Sequence, residues 1–553
     1  MKSDYLTLSS AKDLKNPKER IIYRCFEILP AFLSWGTLFL FFILSWLVPA
    51  VVAIFIIIFD CFWMLKVFYL SFHQSAGYRL MKENLSINWL EKIKKLKNWQ
   101  DIYHLIVLPM YKEEINVVRS SLQSLLIDSS YPKNKMIVVL AVEERGGKAA
   151  KKVAKEIEKE FAKKFFQFLI TTHPEDIPGE IAGKGSNVAW AIKKAKELII
   201  DKLSLPSRAT AKGEEESLLS LPSRATAKGE EENLFSLPYE NVIVSNFDID
   251  TRPYHQYFAV LTWHYLTAEN PLKCSYQPIP IYNNNIWLAP AFSRIIATSG
   301  TFWQMMQQAR PEQLVSYSSH SMPFKAIIEV GYPQNIVSDD SRIFWKSYLA
   351  FNGDYKVVPL YYPVSMDAVM AKNLLKTIIN QYKQQRRWAW GCENIPYIFY
   401  GFLKNKKIPL KEKIRHAFVI LEGFWSWSVA ALLTFLLGWL PLILGGGDFQ
   451  VTLLSYNLPR LTSRIMTIAM IGMIVSAILS IFLLPPRPKN FSKWKNLSMI
   501  FQWLLLPFTL IIFGAFPALE AQLRLALGKY LGFWVTEKFS PLPFIELPKG
   551  SKR

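Results

Sequence analysis

Acidic, basic and aromatic residues gather in a few short stretches of this chain, several of them where an apolar run ends. "NVIVSNFDIDTRP" (241–253) is an apolar run that delivers two acids, Asp248 and Asp250, spaced so that an extended backbone would present both on one face. A hard divalent ion such as Mg2+ or Mn2+ takes oxygen ligands, commonly one or two carboxylates completed by substrate phosphates. Asp-x-Asp at a strand end supplies them, although alone the pattern equally describes a solvated turn. "NIVSDDSRIFW" adds Asp339 and Asp340. One of two adjacent acids can act as general base on an alcohol, or the pair can occupy the first turn of a capped helix. "QYKQQRRWAWG" adds Gln384, Arg386, Arg387 and Trp388. That is a guanidinium for phosphate and a flat ring of the kind sugars stack on, and a basic–aromatic stretch beside a membrane has the same composition. Upstream, "PMYKEE" holds Tyr111, Glu113 and Glu114, "EERGG" holds Glu143, Glu144 and Arg145, and "GKGSN" holds Lys184 and Asn187.

The surrounding pattern puts these groups at one end of a sheet. Uninterrupted apolar runs at 105–110, 136–142, 166–172 and 242–247 alternate with helical patterns at about 115–126, 149–165 and 188–200. Such alternation predicts a parallel sheet covered on both faces, with ligands beyond the carboxyl ends of its strands. Before the first strand, "MKENLSINWLEKIKKLKNW" (81–99) carries a helical stripe of Leu85, Ile87, Leu90, Ile93, Leu96 and Trp99. It reads as an interfacial amphipathic helix, or as a helix packed on the domain. "SLPSRATAKGEEE" occurs twice, at 204–216 and 220–232. Two copies are too few for a solenoid, and the composition reads as a disordered insert over 203–238.

A chain of 553 residues exceeds one ordinary core. Its mean hydropathy is +0.13 with 51% hydrophobic residues, and the apolar residues concentrate at 31–47, 50–70, 424–444, 465–484 and 497–519. Each run approaches the ~20 residues that span a bilayer core as a helix, so this is an integral membrane protein. The Val48-Pro49 break reads as a hairpin turn. Some thirty mixed-charge residues precede the first run and no small-residue cleavage site follows it, which fits a secretory signal poorly. The net charge of +21 does not indicate nucleic acid, because the basic clusters flank the apolar runs in the positive-inside pattern. Four cysteines without a CxxC pair and seven scattered histidines supply neither a disulfide framework nor a zinc site. The chain divides into a cytosolic segment (1–30), a membrane hairpin (31–73), a cytosolic domain (74–415), a C-terminal membrane region (416–528) and a tail (529–553). Five spans would leave that tail outside, against its basic character; a re-entrant hairpin over 497–527, broken at Pro507 and Pro517, would return it to the inside.

In order, the chain shows a membrane hairpin, P-x-Y-x-E-E, K-x-x-N, D-x-D, [ST]-D-D, Q-x-x-R-W and further membrane helices. It resembles the processive membrane glycosyltransferases of family 2, the cellulose, chitin, hyaluronan and mannan synthases and their bacterial relatives. The resemblance implies an α/β GT-A domain on the cytosolic face beside an α-helical transmembrane bundle. It implies a nucleotide-diphospho-sugar donor and inverting transfer to a growing polysaccharide, with coupled export. Asp248 and Asp250 would hold Mg2+ or Mn2+, Asp250 being the principal ligand. Asp340 would be the base, with Asp339 beside it. Tyr111, Glu113, Glu143, Glu144, Lys184, Asn187, Asp248, Gln384 and Arg387 would meet the donor, and Trp388 the acceptor. "GFWVTEK" (532–538) looks like the family's gating segment. One departure concerns the second strand, which in the family usually ends in Asp-Asp, where this chain has Glu143 and Glu144. A lipid-acceptor enzyme of the ceramide glucosyltransferase type shares D-x-D and Q-x-x-R-W, and a catalytically silent scaffold or transporter is a third reading.

Overall fold

The computed structural model describes residues 4–127, 130–204, 237–489, 491–492 and 494–535. An eight-stranded mixed sheet in the order β3-β2-β1-β4-β7-β6-β8-β5 organises the chain. β1 (Tyr103–Met110), β2 (Met136–Glu143), β3 (Gln167–His173) and β4 (Val242–Asn246) are parallel, with Leu105 opposite Ile137 and Val244. Their side chains alternate between two cores. Leu105, Val107, Ile137 and Val139 face one core, Ile106, Leu108, Val138 and Leu140 the other. Burial on both faces is why these strands read as unbroken apolar runs.

The second half departs from the parallel expectation. β7 (Ser321–Pro323) pairs antiparallel with β4 and with β6 (Cys274–Ile281); β6 runs parallel to β8 (Lys356–Ser365), and β5 (Arg252–Pro253) closes the edge antiparallel to β8. On one face α6 (Lys184–Ala195), α10 (Phe324–Val330), α11 (Asp339–Ala350) and α13 (Asn394–Lys404) supply the core; on the other, α4 (Ile115–Ile127), α5 (Gly147–Phe161) and α8 (Tyr257–Thr267) do so. α6 runs on through a π-turn into α7 (Asp201–Ser204). The duplicated insert lies almost wholly outside the described residues, but its neck is closed: the Leu237 N–H donates to the Leu203 carbonyl at 3.3 Å.

α1 (Pro17–Leu47) and α2 (Pro49–Ser86) form the hairpin, with Pro49 opening α2 where its missing N–H costs nothing. α1 begins well before the apolar run at 31, and Leu8, Ala11, Leu14 and Tyr23 of the N-terminal segment belong to the domain core. The stripe at 81–99 is not a single interfacial helix. Its first part is the end of α2, and after a break α3 (Trp89–Ile93) is short, with Trp89 and Ile93 buried in the domain. Among the described residues five helices are long and apolar enough to cross a membrane: α1, α2, α14 (Leu410–Phe435), Leu453–Phe482 and Trp494–Ala526. The last is broken by 3-10 and π turns and touches helices of the sheet domain. Trp503 and Phe513 stack on Phe302 and Phe292 of α9 (Ala291–Gln308). Farther on, Glu520 accepts bonds from Tyr382 and Arg386 of α12 (Leu374–Ala389). Beyond the segment, Phe533 reaches the carboxyl edge of the sheet, against Gly183 and Arg387.

Candidate active site

β2 and β3 lie on one side of β1 and β4 on the other, so the chain reverses its direction of winding between β1 and β4. The crevice beyond the carboxyl ends of those two strands is where a ligand fits an open α/β sheet. β4 stops at Asn246 and the chain turns through Asp248–Asp250, so the same-face argument for two strand acids does not apply. Asp248 faces the crevice. Its Oδ2 accepts from Ser318 Oγ at 2.7 Å and its Oδ1 lies 2.7 Å from Lys184 Nζ. Asp250 is buried, its Oδ2 accepting from the Asp367 N–H at 2.9 Å.

Lys184 joins the two halves of the site. Its Nζ donates to both carboxylate oxygens of Asp340 at 2.9 Å while holding Asp248. Burial alone would lower this amine, but Asp248 and Asp340 outweigh it and hold the amine well above its usual range. The glycines around Lys184 follow from crowding. A Cβ at Gly183 would lie 2.6 Å from Phe533 Cβ, and one at Gly185 2.8 Å from the Pro333 carbonyl oxygen. Only bare backbone lets the start of α6 enter between Phe533 and α11.

Asp339 and Asp340 open α11 behind Ser338, and the helix turns them apart. Asp340 keeps about a fifth of its side chain exposed, at 21%. Asp339 is buried, its Oδ2 accepting from Tyr332 Oη at 3.2 Å. Burial, with Asp340 beside it, raises the Asp339 carboxyl. Of the two expected acids, Asp340 is thus the one that opens onto the crevice, and Asp339 is turned inward. α11 is fixed from below. Arg342 donates to the Leu8 carbonyl, Asn394 Oδ1 and the Glu393 carbonyl, and Glu393 accepts from Ser338 and Trp390.

The other expected residues divide. Gln384, Arg387 and Trp388 ride on α12, which Arg386 pins to Glu520 at 2.6 Å. The Arg387 guanidinium lies 5.0 Å from the Phe533 ring, and its buried Nε has no hydrogen-bond partner among the described residues. Trp388 sits 6.1 Å from the Tyr282 ring. Gly532–Val535 of the gating-like segment therefore lie against the site; 536–538 fall outside the described residues. Tyr111 carries Arg145 over its ring at 4.6 Å, and Glu113 turns back to accept the Tyr111 N–H at 2.7 Å. Glu143 is buried at the end of β2 and pairs with Arg145. Two further residues expected at the donor sit in other settings. Asn187 is fully buried, its Nδ2 tied to the Ala141 carbonyl at 2.7 Å because α6 packs on β2, so it braces the scaffold. Glu144 lies on the rim, 3.6 Å from Lys151.

Sequence reasoning missed the second rank of polar residues. His320 is fully buried with Nδ1 3.6 Å from Asp340 Oδ1, and burial lowers it against the pull of that carboxylate. Asn246 Nδ2 donates to Tyr332 Oη at 2.6 Å and to Asp340 at 3.4 Å. Burial raises the Tyr282 phenol, and Asp248, Asp250 and Asp340 add to the rise. The one available signal was the polar run "SYSSH" standing immediately before the buried β7.

No family model matches the chain, and no curated protein matches it. Among solved structures, the mannosyltransferase PcManGT from Pyrobaculum calidifontis in complex with GDP-Man and Mn2+ is 14% identical to this chain. That match covers 73% of this chain and 99% of the other, at a TM-score of 0.36.

Proposed function

We propose that this protein is a membrane-embedded inverting glycosyltransferase of the family 2 type with a GT-A domain. It moves a sugar from a nucleotide-diphospho-sugar to a growing polysaccharide. The observation that carries the reading is the convergence of Asp248 and Asp340 on the buried Lys184 at the switch point of the sheet. An acid after β4, an acid opening α11 and a cation opening α6 meet in one place, with Arg387 and Trp388 on the helix alongside.

The acceptor hydroxyl gives its proton to Asp340 as its oxygen bonds to the anomeric carbon. The bond from that carbon to the diphosphate breaks on the opposite face, so one base and no protein nucleophile gives inversion. Lys184 and Arg387 are fixed charges beside the departing diphosphate, and such preorganised charge acts where negative charge develops. Trp388 and Tyr282 form the aromatic wall against which an acceptor ring stacks. Two carboxylates with substrate phosphates suit a hard cation, whereas no cluster of three or more His, Cys, Asp or Glu stands ready among the described residues. Mg2+ or Mn2+ would thus be held by Asp248, Asp250 and diphosphate oxygens together, and would neutralise the leaving group. The basic flanks of the apolar runs support a catalytic domain on the cytosolic side of the cell membrane.

A lipid acceptor is the second reading. It is favoured by the start of α12, where Leu374, Leu375, Ile378 and Ile379 stand exposed on the helix that carries Arg387. Product length from purified protein and labelled donor separates the two. For the transfer itself, Asp340→Asn should reduce turnover by at least about a hundredfold while donor binding persists. Turnover retained in that variant would remove Asp340 from the mechanism.

A further inference from the structure

Beside the catalytic crevice, at the carboxyl ends of β2 and β3, lies a cavity of about 120 Å3 walled by Glu143, Arg145, His173 and Glu180, with Glu175 and Asp176 at its rim. It is two strands from the Asp248 turn, roughly 10 Å across the sheet. The wall runs straight from Glu180 through Ala182 into Gly183 and Lys184. Four carboxylates against one guanidinium and one imidazole make it hostile to phosphate. On the nucleotide-sugar reading, on which this inference rests, diphosphate and sugar lie toward Lys184 and Asp340. The cavity then receives the nucleobase.

Its hydrogen-bonding groups form a pattern. Arg145 pairs with Glu143 through Nε, and its Nη2 is buried without a partner among the described residues. Glu143 and Glu180 keep only 5% and 12% of their side chains exposed. One oxygen of each is committed, Glu143 Oε2 to Arg145 and Glu180 Oε2 to His173 at 2.8 Å, and the second remains an acceptor. The cavity wall thus presents carboxylate acceptors. Guanine presents the complement: N1–H and the N2 amine as adjacent donors. Uracil would turn its O2 carbonyl, and adenine its N1, onto a largely buried carboxylate, leaving acceptor against acceptor at the cost of an unmade bond. We propose that this cavity selects guanine, so that the donor is a guanosine-diphospho-sugar.

The test is equilibrium binding of GDP, IDP, UDP and ADP to the full chain in nanodiscs with Mg2+ present. IDP keeps O6 and N1–H but lacks the N2 amine. GDP should bind about tenfold tighter than IDP, and IDP tighter than UDP or ADP. Glu180→Gln should bring GDP down to the level of IDP and leave IDP unchanged, which also shows that the variant is folded. UDP or ADP binding as tightly as GDP, or GDP indifferent to loss of either the amine or the Glu180 charge, overturns the guanine assignment alone. Binding of none of the four overturns the nucleotide-sugar reading with it.

Discussion

Replacing Lys184 by Met keeps the length of the side chain and removes the cation that holds Asp248 and Asp340 together. In the folded protein this amine makes contacts of 2.7 Å to Asp248 and 2.9 Å to Asp340 with 8% of its side chain exposed. Stranding the partners of a fully buried pair costs about 3–5 kcal/mol. Here the two carboxylates keep 24% and 21% exposure, so water screens part of the loss, and about 2–3 kcal/mol is expected. The decisive measurement is a double-mutant cycle with Asp340→Asn, followed by denaturant unfolding of the full chain in detergent. If Lys184 bridges, the second substitution costs less than it does alone, with a coupling of at least ~1 kcal/mol. Costs that add to within ~0.5 kcal/mol would refute the bridge, and with it the reason for placing Asp248 and Asp340 in one site.

Asp339→Asn should leave transfer within a few-fold of the parent, since Asn keeps an acceptor for Tyr332. The buried carboxyl is raised, so its ionisation opposes folding as pH rises above roughly 4; the variant should be at least as stable as the parent at pH 7, as read by thermal unfolding. Gly185→Ala puts a methyl 2.8 Å from a backbone carbonyl and 3.0 Å from Asp339 Cβ. It should cost about 1–3 kcal/mol and lower the transfer rate more than donor affinity. Burial holds His104 down to about 3, so the folded state stays neutral there while the unfolded chain takes up a proton near pH 6.5. Stability present at pH 7 falls by about 2 kcal/mol on reaching pH 5 from this group, and His104→Gln should flatten that slope in unfolding measured at both pH values.

Which parts of the molecule could be read in advance follows from what each residue packs against. The strands β1 to β4 are visible because burial on two faces leaves no polar interruption. β6 and β8 were missed because "CSYQPIPI" and "KVVPLYYPVS" carry prolines that argue against a strand, and β5 and β7 are too short to show a period. Charged residues at Glu19, Arg20 and Arg24 hid the start of α1, because they pair with the domain, the N-terminal segment and the C-terminal helix and do not mark an end to the helix. In the site, Asp248, Asp340 and Arg387 stand in short spaced motifs. Tyr282, His320 and Tyr332 do not: each is tied to the acids only by contacts between distant parts of the chain. Lys184 was legible as a reactive residue, whereas its role as a clasp depends on where α6 starts relative to α11.

The packing of Phe533 against Gly183 and Arg387 also has a consequence for how the protein is made. Tyr111 leaves the ribosome more than four hundred residues before Phe533 does. The sheet can assemble while the later membrane helices are still being synthesised, but the wall over the start of α6 is laid down only after those helices. The nascent chain thus carries its acids and its lysine without their cover until the C-terminal segment has packed, so on the proposed reading transfer competence follows membrane assembly in time. By the same logic a domain cut at 415 keeps Lys184, Asp248, Asp340 and Arg387, yet leaves the start of α6 open-sided.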